Sequence, residues 1–371
     1  MKVVHYMWSG NMGGIEKLTI WLAENQLKRK DLSNLILIGT NKGTLFETLQ
    51  QKNISYDILG LKNGWGFNLK SWRKLRHHFK STDIIHIHTF NPWVLFAAII
   101  SGKKIVYTLH GNFVYGRKVK LTDKINQYCI GLMLNHFTDM VTFNSKFTEA
   151  TAHKRYGLNS VKKQLVYNGV DFSNLTLTEN DDVKRFREQH KDKFIIGTVA
   201  RFAGVKRIDR LIDAFKIFSK DKNDALLLLT GDGPLRQSLE QKVKDDKLED
   251  KIVFTGFQKN AADWESLMDV CVFPSQNESF GLVAIEAMYL GKQVIVFNDG
   301  GGLVEITEGI SPDDIVDSVD KAAERLNLCY HLKNQTQQNE VIQKRKIYAS
   351  IFSIENMETN FYNIYQQLLK K

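Results

Sequence analysis

The chain has 371 residues, 43% of them hydrophobic and 25% charged, with only four prolines. That length exceeds one ordinary core and predicts two globular α/β domains of roughly 170–200 residues each. Cys129, Cys271 and Cys329 are odd in number and far apart, which argues against a disulfide framework or a cysteine metal site and suits a reducing compartment.

The net charge of +10 is unevenly spread: residues 1–171 hold 24 Lys and Arg against 10 Asp and Glu, whereas residues 172–371 hold 27 against 31. The first half therefore carries all the excess positive charge. Much of it lies in two clusters, Arg73, Lys74, Arg76 and Lys80, then Arg117, Lys118, Lys120 and Lys124. Such clusters suit an anionic membrane, an acidic substrate or a plain solvated face. No nucleic-acid recognition motif accompanies them, so nucleic acid is not an expected partner. No window reaches ~18 uninterrupted apolar residues, and the start of the chain reads directly as a strand. The expectation is a cytoplasmic protein, at most peripheral on the membrane.

The first predicted strand, residues 3–8, leads into Ser9-Gly10-Asn11-Met12-Gly13-Gly14-Ile15-Glu16 and a helix. Paired glycines let a ligand approach the backbone, and a helix start favours an anion. The dinucleotide spacing G-x-G-x-x-G is absent. Strands follow at 35–38 and 84–88, where His86 and His88 share one face. That pair would suit a metal only with a third ligand, and none is evident in the sequence. The strand at 105–109 ends on His110-Gly111, and strands at 140–143 and 165–167 complete the first half. A polar, weakly patterned stretch near 172–192 reads as a linker.

The second half repeats the alternation. The strand at 194–199 is followed by Arg201 and, five residues on, by Lys206-Arg207. Cations at a strand end are what a diphosphate needs, Arg as a bidentate fork and Lys as a point charge. After the strand at 225–230 comes Gly231-Asp232-Gly233-Pro234-Leu235, a tight turn opening a helix. Strands at 252–255, 270–273 and 294–297 remain. Behind 270–273 stands Asn277-Glu278-Ser279-Phe280-Gly281-Leu282-Val283-Ala284-Ile285-Glu286. Gly281 would let helix-start amides face a phosphate. Glu286 could take the two hydroxyls of a ribose, and Glu278 the hydroxyls of a further sugar. Short strands alternating with helices imply parallel sheets, with ligands beyond the strands' carboxyl ends. The predicted fold is thus α/β, two Rossmann-like doubly wound domains facing a central cleft. They are expected at 1–172 and 173–353, with a C-terminal amphipathic helix at about 354–371 packing back on the first.

Taken together, Gly13-Gly14-x-Glu16, Thr108-Leu109-His110-Gly111, Tyr167-Asn168-Gly169-Val170-Asp171, Arg201 with Lys206, Gly231-Asp232-Gly233-Pro234-Leu235, and the paired Glu278 and Glu286 resemble the retaining glycosyltransferases of family 4 with the GT-B fold. That group includes bacterial capsule, exopolysaccharide and lipopolysaccharide enzymes, and the likeness spans nearly the whole chain. It implies that Arg201 and Lys206 bind the donor diphosphate, that Glu286 holds the ribose, and that Glu278 holds the transferred sugar. It also implies phosphate contacts at Gly13, Gly14, Phe280, Gly281 and Leu282, with Gly231 and Gly233 shaping the donor site, and contact of His110 with the donor sugar. Ala200 and Arg207 depart from the pattern, standing where the family usually has glycines.

The expected reaction moves a sugar from a nucleoside diphosphate sugar, UDP rather than GDP by family precedent, to a saccharide or lipid-linked acceptor. It would proceed with no metal and no cofactor. The acceptor is expected on the first domain, beside Trp65, Phe67, Trp93, Phe113 and Tyr115. Rival readings are a nucleotide-sugar epimerase of the same architecture and a non-catalytic nucleotide-sugar-binding protein.

Overall fold

In the computed structural model, residues 1–63, 66–111, 120–178, 180–333 and 338–370 are described. The chain divides into two compact units, Met1–Gly169 with Ile354–Lys371, and Val170–Ser353.

In chain order, the first unit comprises β1 (Lys2–Met7), α1 (Gly14–Gln26), β2 (Ser33–Ile38), α2 (Leu45–Gln51), β3 (Tyr56–Ile58), α3 (Leu69–Lys80), β4 (Ile84–Ile87), α4 (Pro92–Ile100), β5 (Lys104–Leu109), α5 (Leu121–Phe137), β6 (Met140–Phe143), α6 (Lys146–Tyr156) and β7 (Lys163–Leu165). Its seven strands are ordered β3-β2-β1-β4-β5-β6-β7, and every pairing is parallel. Apolar residues of β1, β4, β5 and β6 are buried on both faces, which is why these strands read as unbroken apolar runs. Local chemistry sets the helix starts. Asn68 accepts from the Ser71 amide, Asn91 from those of Trp93 and Val94 ahead of Pro92, and Ser145 from that of Thr148.

The second unit contains α7 (Asp181–Gln189), β8 (Phe194–Val199), α8 (Ile208–Phe218), β9 (Ala225–Thr230), α9 (Arg236–Asp245), β10 (Ile252–Gly256), α10 (Ala261–Glu265), β11 (Val270–Phe273), α11 (Leu282–Tyr289), β12 (Gln293–Phe297), α12 (Gly302–Glu308), β13 (Ile315–Val316), α13 (Val319–Leu332) and α14 (Gln338–Ser350). Its parallel sheet runs β10-β9-β8-β11-β12-β13. The order reverses between β1 and β4 in one sheet and between β8 and β11 in the other, the positions where such sheets open a crevice.

Two expectations are corrected. The stretch expected as a linker holds α7, which buries Val183 and Phe186 and sets Phe186 5.5 Å from Trp264, edge to face. Two apolar residues three apart carry this short helix, too sparse a signal against its charged remainder. The last strand of the first half lies at Lys163–Leu165, two residues earlier than expected.

The chain returns to the first unit as α15 (Ile354–Leu369), which packs along α1. Arg29 donates two bonds to Glu358, at 2.7 and 2.8 Å, and lies over the Tyr362 ring at 3.9 Å.

Candidate active site

Beyond β8 the backbone is laced to the turn after β9. The Ala200 amide donates to Thr230 at 3.0 Å, the Phe202 amide to Asp232 at 2.9 Å, and the Leu235 amide back to Phe202 at 3.1 Å. This closeness requires Gly231 and Gly233. Gly231 has φ +133°, and a Cβ there would lie 1.9 Å from the Ala200 carbonyl oxygen; one at Gly233 would lie 2.5 Å from that of Phe202. The glycine turn thus fixes the segment that carries Arg201. Arg201 itself is exposed and has no ion-pair partner among the described residues.

Lys206 ends a single 3₁₀ turn, Gly204–Lys206, which the Gln276 amide holds through the Val205 carbonyl at 2.8 Å. Its Nζ lies 2.6 Å from Oε2 of Glu278, both side chains about four-fifths buried, at 21% and 20% exposure. Two residues singled out from the sequence are therefore in direct contact. Arg207 adopts the left-handed conformation, φ 45° and ψ 43°, with its guanidinium on Asp209. The backbone path that a glycine would favour is kept with an arginine in it, at a strain of about 1 kcal/mol.

The Glu278 loop is held from several sides. Asn277, at φ 56°, donates its amide to Asp299, and the Gly302 amide donates to the Glu278 carbonyl, both at 2.8 Å. Arg210, not anticipated from the sequence, ties the strand ends together. It donates to both oxygens of Asp299 and to the carbonyls of Pro274 and Ser275, and it stacks on Phe297. Gly281, at φ +109°, begins α11, where a Cβ would lie 2.2 Å from Leu303. Leu282 is the first helical residue, and the Phe280 ring is buried against Phe352, so only its backbone is left for a ligand. Glu286 is half-buried on α11. Near it lies Glu265, whose carboxyl is buried with Oε1 unpartnered among the described residues. Burial and then the Glu286 charge push it well above the usual carboxylate range.

In the first unit, Gly13 and Gly14 are exposed at the start of α1. The Glu16 carboxylate accepts from the Gly13 amide and its own, so part of the helix start offered to phosphate is already occupied. Glu16 is nonetheless shifted upward, because its burial outweighs those bonds.

His110 follows β5 and contacts Nδ1 of His88 through Nε2 at 3.1 Å. His88 Nε2 lies 3.0 Å from His5 Nδ1, and His5 Nε2 lies 2.9 Å from Gln26 Oε1. His5 pairs with His86 across β1 and β4 and supplies the third imidazole that the sequence did not reveal. Ligand atoms of His5, His86 and His88 lie within 4.8 Å of one another. However, His86 is engaged at both nitrogens, by Tyr365 and Thr108, each at 2.6 Å. Holding a metal here would break several buried hydrogen bonds.

Both halves of the chain match known protein families. A family model described as glycosyltransferase family 4 matches residues 12–174, and one described as glycosyl transferases group 1 matches residues 180–345. The chain belongs to the GT-B glycosyltransferases. N-acetyl-alpha-D-glucosaminyl L-malate synthase of Bacillus anthracis is 32% identical over 60% of this chain and 58% of its own length. The O-antigen biosynthesis glycosyltransferase WclY of Escherichia coli is 25% identical over 85% of this chain and 88% of its own. In fold, the chain superposes with TM-score 0.81 and 22% identity on the Anabaena protein HepE, solved in complex with UDP, over 99% of this chain and 100% of that one.

The remaining features of this glycosyltransferase concern the outside of the first unit. Lys74, one of the clustered cations, pairs with Asp57 at 2.5 Å and donates to the Ile58 carbonyl. Arg73, Arg76 and Lys80 are exposed, as are Lys120 and Lys124 on or beside α5. Arg117, Lys118, Trp65, Phe113 and Tyr115 lie outside the described residues. Phe67 and Trp93 are exposed and in contact, with ring centres 4.8 Å apart. Leu121, Ile125, Tyr128 and Leu132 form an exposed stripe along α5. No helix among the described residues is long and apolar enough to cross a membrane.

Proposed function

We propose that this glycosyltransferase is a retaining enzyme that transfers a hexosyl or N-acetylhexosaminyl group from a UDP-sugar to a hydroxyl of a saccharide or lipid-linked saccharide, without a metal ion, in the synthesis of a cell-surface polysaccharide. The observation that carries this reading is the Lys206–Glu278 contact. A cation suited to a diphosphate and a carboxylate suited to sugar hydroxyls meet at 2.6 Å, as they must where the leaving group joins the transferred sugar. UDP bound to HepE and the O-antigen role in WclY's name support donor and product class.

In the proposed reaction the bond between the anomeric carbon and the diphosphate oxygen breaks. The acceptor oxygen bonds to that carbon on the same face, and its proton passes to the departing diphosphate. The barrier is dominated by negative charge growing on the leaving group. Arg201, Lys206 and the amides at Gly281 and Leu282 are assigned to stabilise it, Glu286 to hold the ribose, and Glu278 the transferred ring. The domain roles follow: donor site in Val170–Ser353, acceptor and anionic membrane surface on the basic first unit.

UDP release from a panel of UDP-sugars, with and without a lipid-linked saccharide acceptor, tests the reading. Acceptor-dependent release, with product keeping the donor's anomeric configuration and undiminished by EDTA, is expected. Conversion of the UDP-sugar into an isomer without acceptor would identify an epimerase instead, and inverted product would overturn the retaining mechanism.

A further inference from the structure

The four linked side chains Gln26, His5, His88 and His110 have hydrogen-bond directions that can be read from one fixed end. Asn34 Nδ2 lies 2.8 Å from the Ala23 carbonyl oxygen. That oxygen can only accept, so the Asn34 amide is oriented with its nitrogen there. The same nitrogen lies 3.2 Å from the Gln26 side chain, so the Gln26 atom facing it is the oxygen, Oε1. Gln26 Oε1 in turn accepts from His5 Nε2, which makes His5 Nδ1 a bare lone pair. His88 Nε2 must then donate to His5 Nδ1, and His110 Nε2 must donate to His88 Nδ1. Each neutral imidazole has one proton, so each bond dictates the next. His110 Nδ1 ends the series. It is a buried acceptor with no partner among the described residues.

We infer that Gln26, His5 and His88 are positioning residues that lock His110 in the tautomer with Nε2 protonated, so that the sugar contact which the family resemblance implies for His110 is made by a bare Nδ1 accepting a hydroxyl proton. A buried acceptor without a donor carries an unrecovered desolvation cost, which a substrate hydroxyl removes. The substrate part of this inference rests on the function proposed above; the tautomer part does not. Burial keeps the imidazoles neutral, as the relay requires: His5 and His110 are both lowered to about 4, and His86 and His88 well below their ordinary range.

The test is long-range nitrogen–proton correlation NMR on the full chain with ¹⁵N-histidine at neutral pH, His110 being assigned by loss of its signals in His110→Gln. Wild-type His110 should show a protonated Nε2 and an unprotonated Nδ1. Gln26→Leu removes the terminal acceptor, so the less costly state reverses every bond and moves the His110 proton to Nδ1. Gln26→Glu keeps an acceptor and should keep the wild-type pattern. Addition of a UDP-sugar or of an acceptor saccharide, but not of UDP alone, should shift the His110 Nδ1 resonance; which sugar does so identifies the source of the hydroxyl. UDP release should fall at least tenfold in kcat/KM in Gln26→Leu and stay within a few-fold of wild type in Gln26→Glu. A protonated Nδ1 in the wild type, or a His110 pattern unchanged in Gln26→Leu, overturns the relay. An intact relay whose Nδ1 responds to neither sugar overturns the substrate contact. Failure of the proposed reaction would show separately, as the absence of UDP release in the wild type.

Discussion

Lys206 and Glu278, 72 residues apart in the chain, meet through a 2.6 Å ion pair that is mostly out of solvent. Each neutralises the other, so on the proposed roles a diphosphate would compete with Glu278 for Lys206 and leave Glu278 for sugar hydroxyls. Arg201→Ala or Lys206→Ala should therefore lower kcat by about 10²–10³-fold. Because Lys206 and Glu278 form one unit, Lys206→Ala combined with Glu278→Ala should cost less than the product of the two single losses. Strictly multiplicative losses in steady-state kinetics would argue that the pair is incidental.

The two glutamates should separate in binding experiments. Glu286→Ala is expected to weaken UDP and UDP-sugar by about ten- to a hundredfold each, the cost of a charged acceptor's bonds to a ribose. Glu278→Ala should leave UDP affinity unchanged or tighter, because Lys206 is released, while turnover falls. Titration calorimetry giving the reverse assignment would contradict the proposed roles.

The central strands were legible because burial on both faces leaves unbroken apolar runs such as Ala225–Thr230 and Val270–Phe273. The edges were not: β3 has three residues with a charged Asp57 at its centre, and β13 has two. The GT-B architecture was readable from this alternation together with the glycine turns and paired glutamates. Arg207 shows the limit at the site itself. Its sequence marked a departure from the family pattern, but only the left-handed φ shows that the path survives. Arg210 was hidden in an amphipathic helix, where an arginine among apolar residues gives no hint that it clamps Asp299 to the loop after β11. His5 was hidden differently. It stands 81 residues before His86, and only the β1–β4 pairing brings them together.

The buried histidines set an acid limit on stability. His5 and His110 stay neutral in the folded protein down to about 4, against an ordinary value of 6.5. The unfolded chain therefore takes up protons first as pH falls. Stability should be full above about 6.5 and decline between 6.5 and 4, since the unfolded state binds more protons throughout that window. Thermal melts at pH 7.5 and 5 should differ less for His110→Gln than for wild type. Equal differences would place the acid sensitivity elsewhere.

The basic face of the first unit gives the last prediction. With Lys74 held by Asp57, the cations of α3 available to an anionic surface from the original cluster are Arg73, Arg76 and Lys80. Each contributes on the order of 1 kcal/mol near such a surface, so neutralising these three should lower partitioning to anionic vesicles by about a hundredfold, and added salt should lower it too. Lys74→Gln should do less to binding, its charge being already compensated, and more to the local structure through loss of its bonds to Asp57 and Ile58. Turnover on a short, water-soluble acceptor should survive the triple change, because none of Arg73, Arg76 and Lys80 is among the residues assigned to the donor. The exposed stripe Leu121, Ile125, Tyr128 and Leu132 on α5 would add a salt-insensitive part to the binding, so Leu121→Ser with Ile125→Ser should lower what remains at high salt. Cosedimentation indifferent to both sets of changes would return this face to a solvated surface with no membrane role.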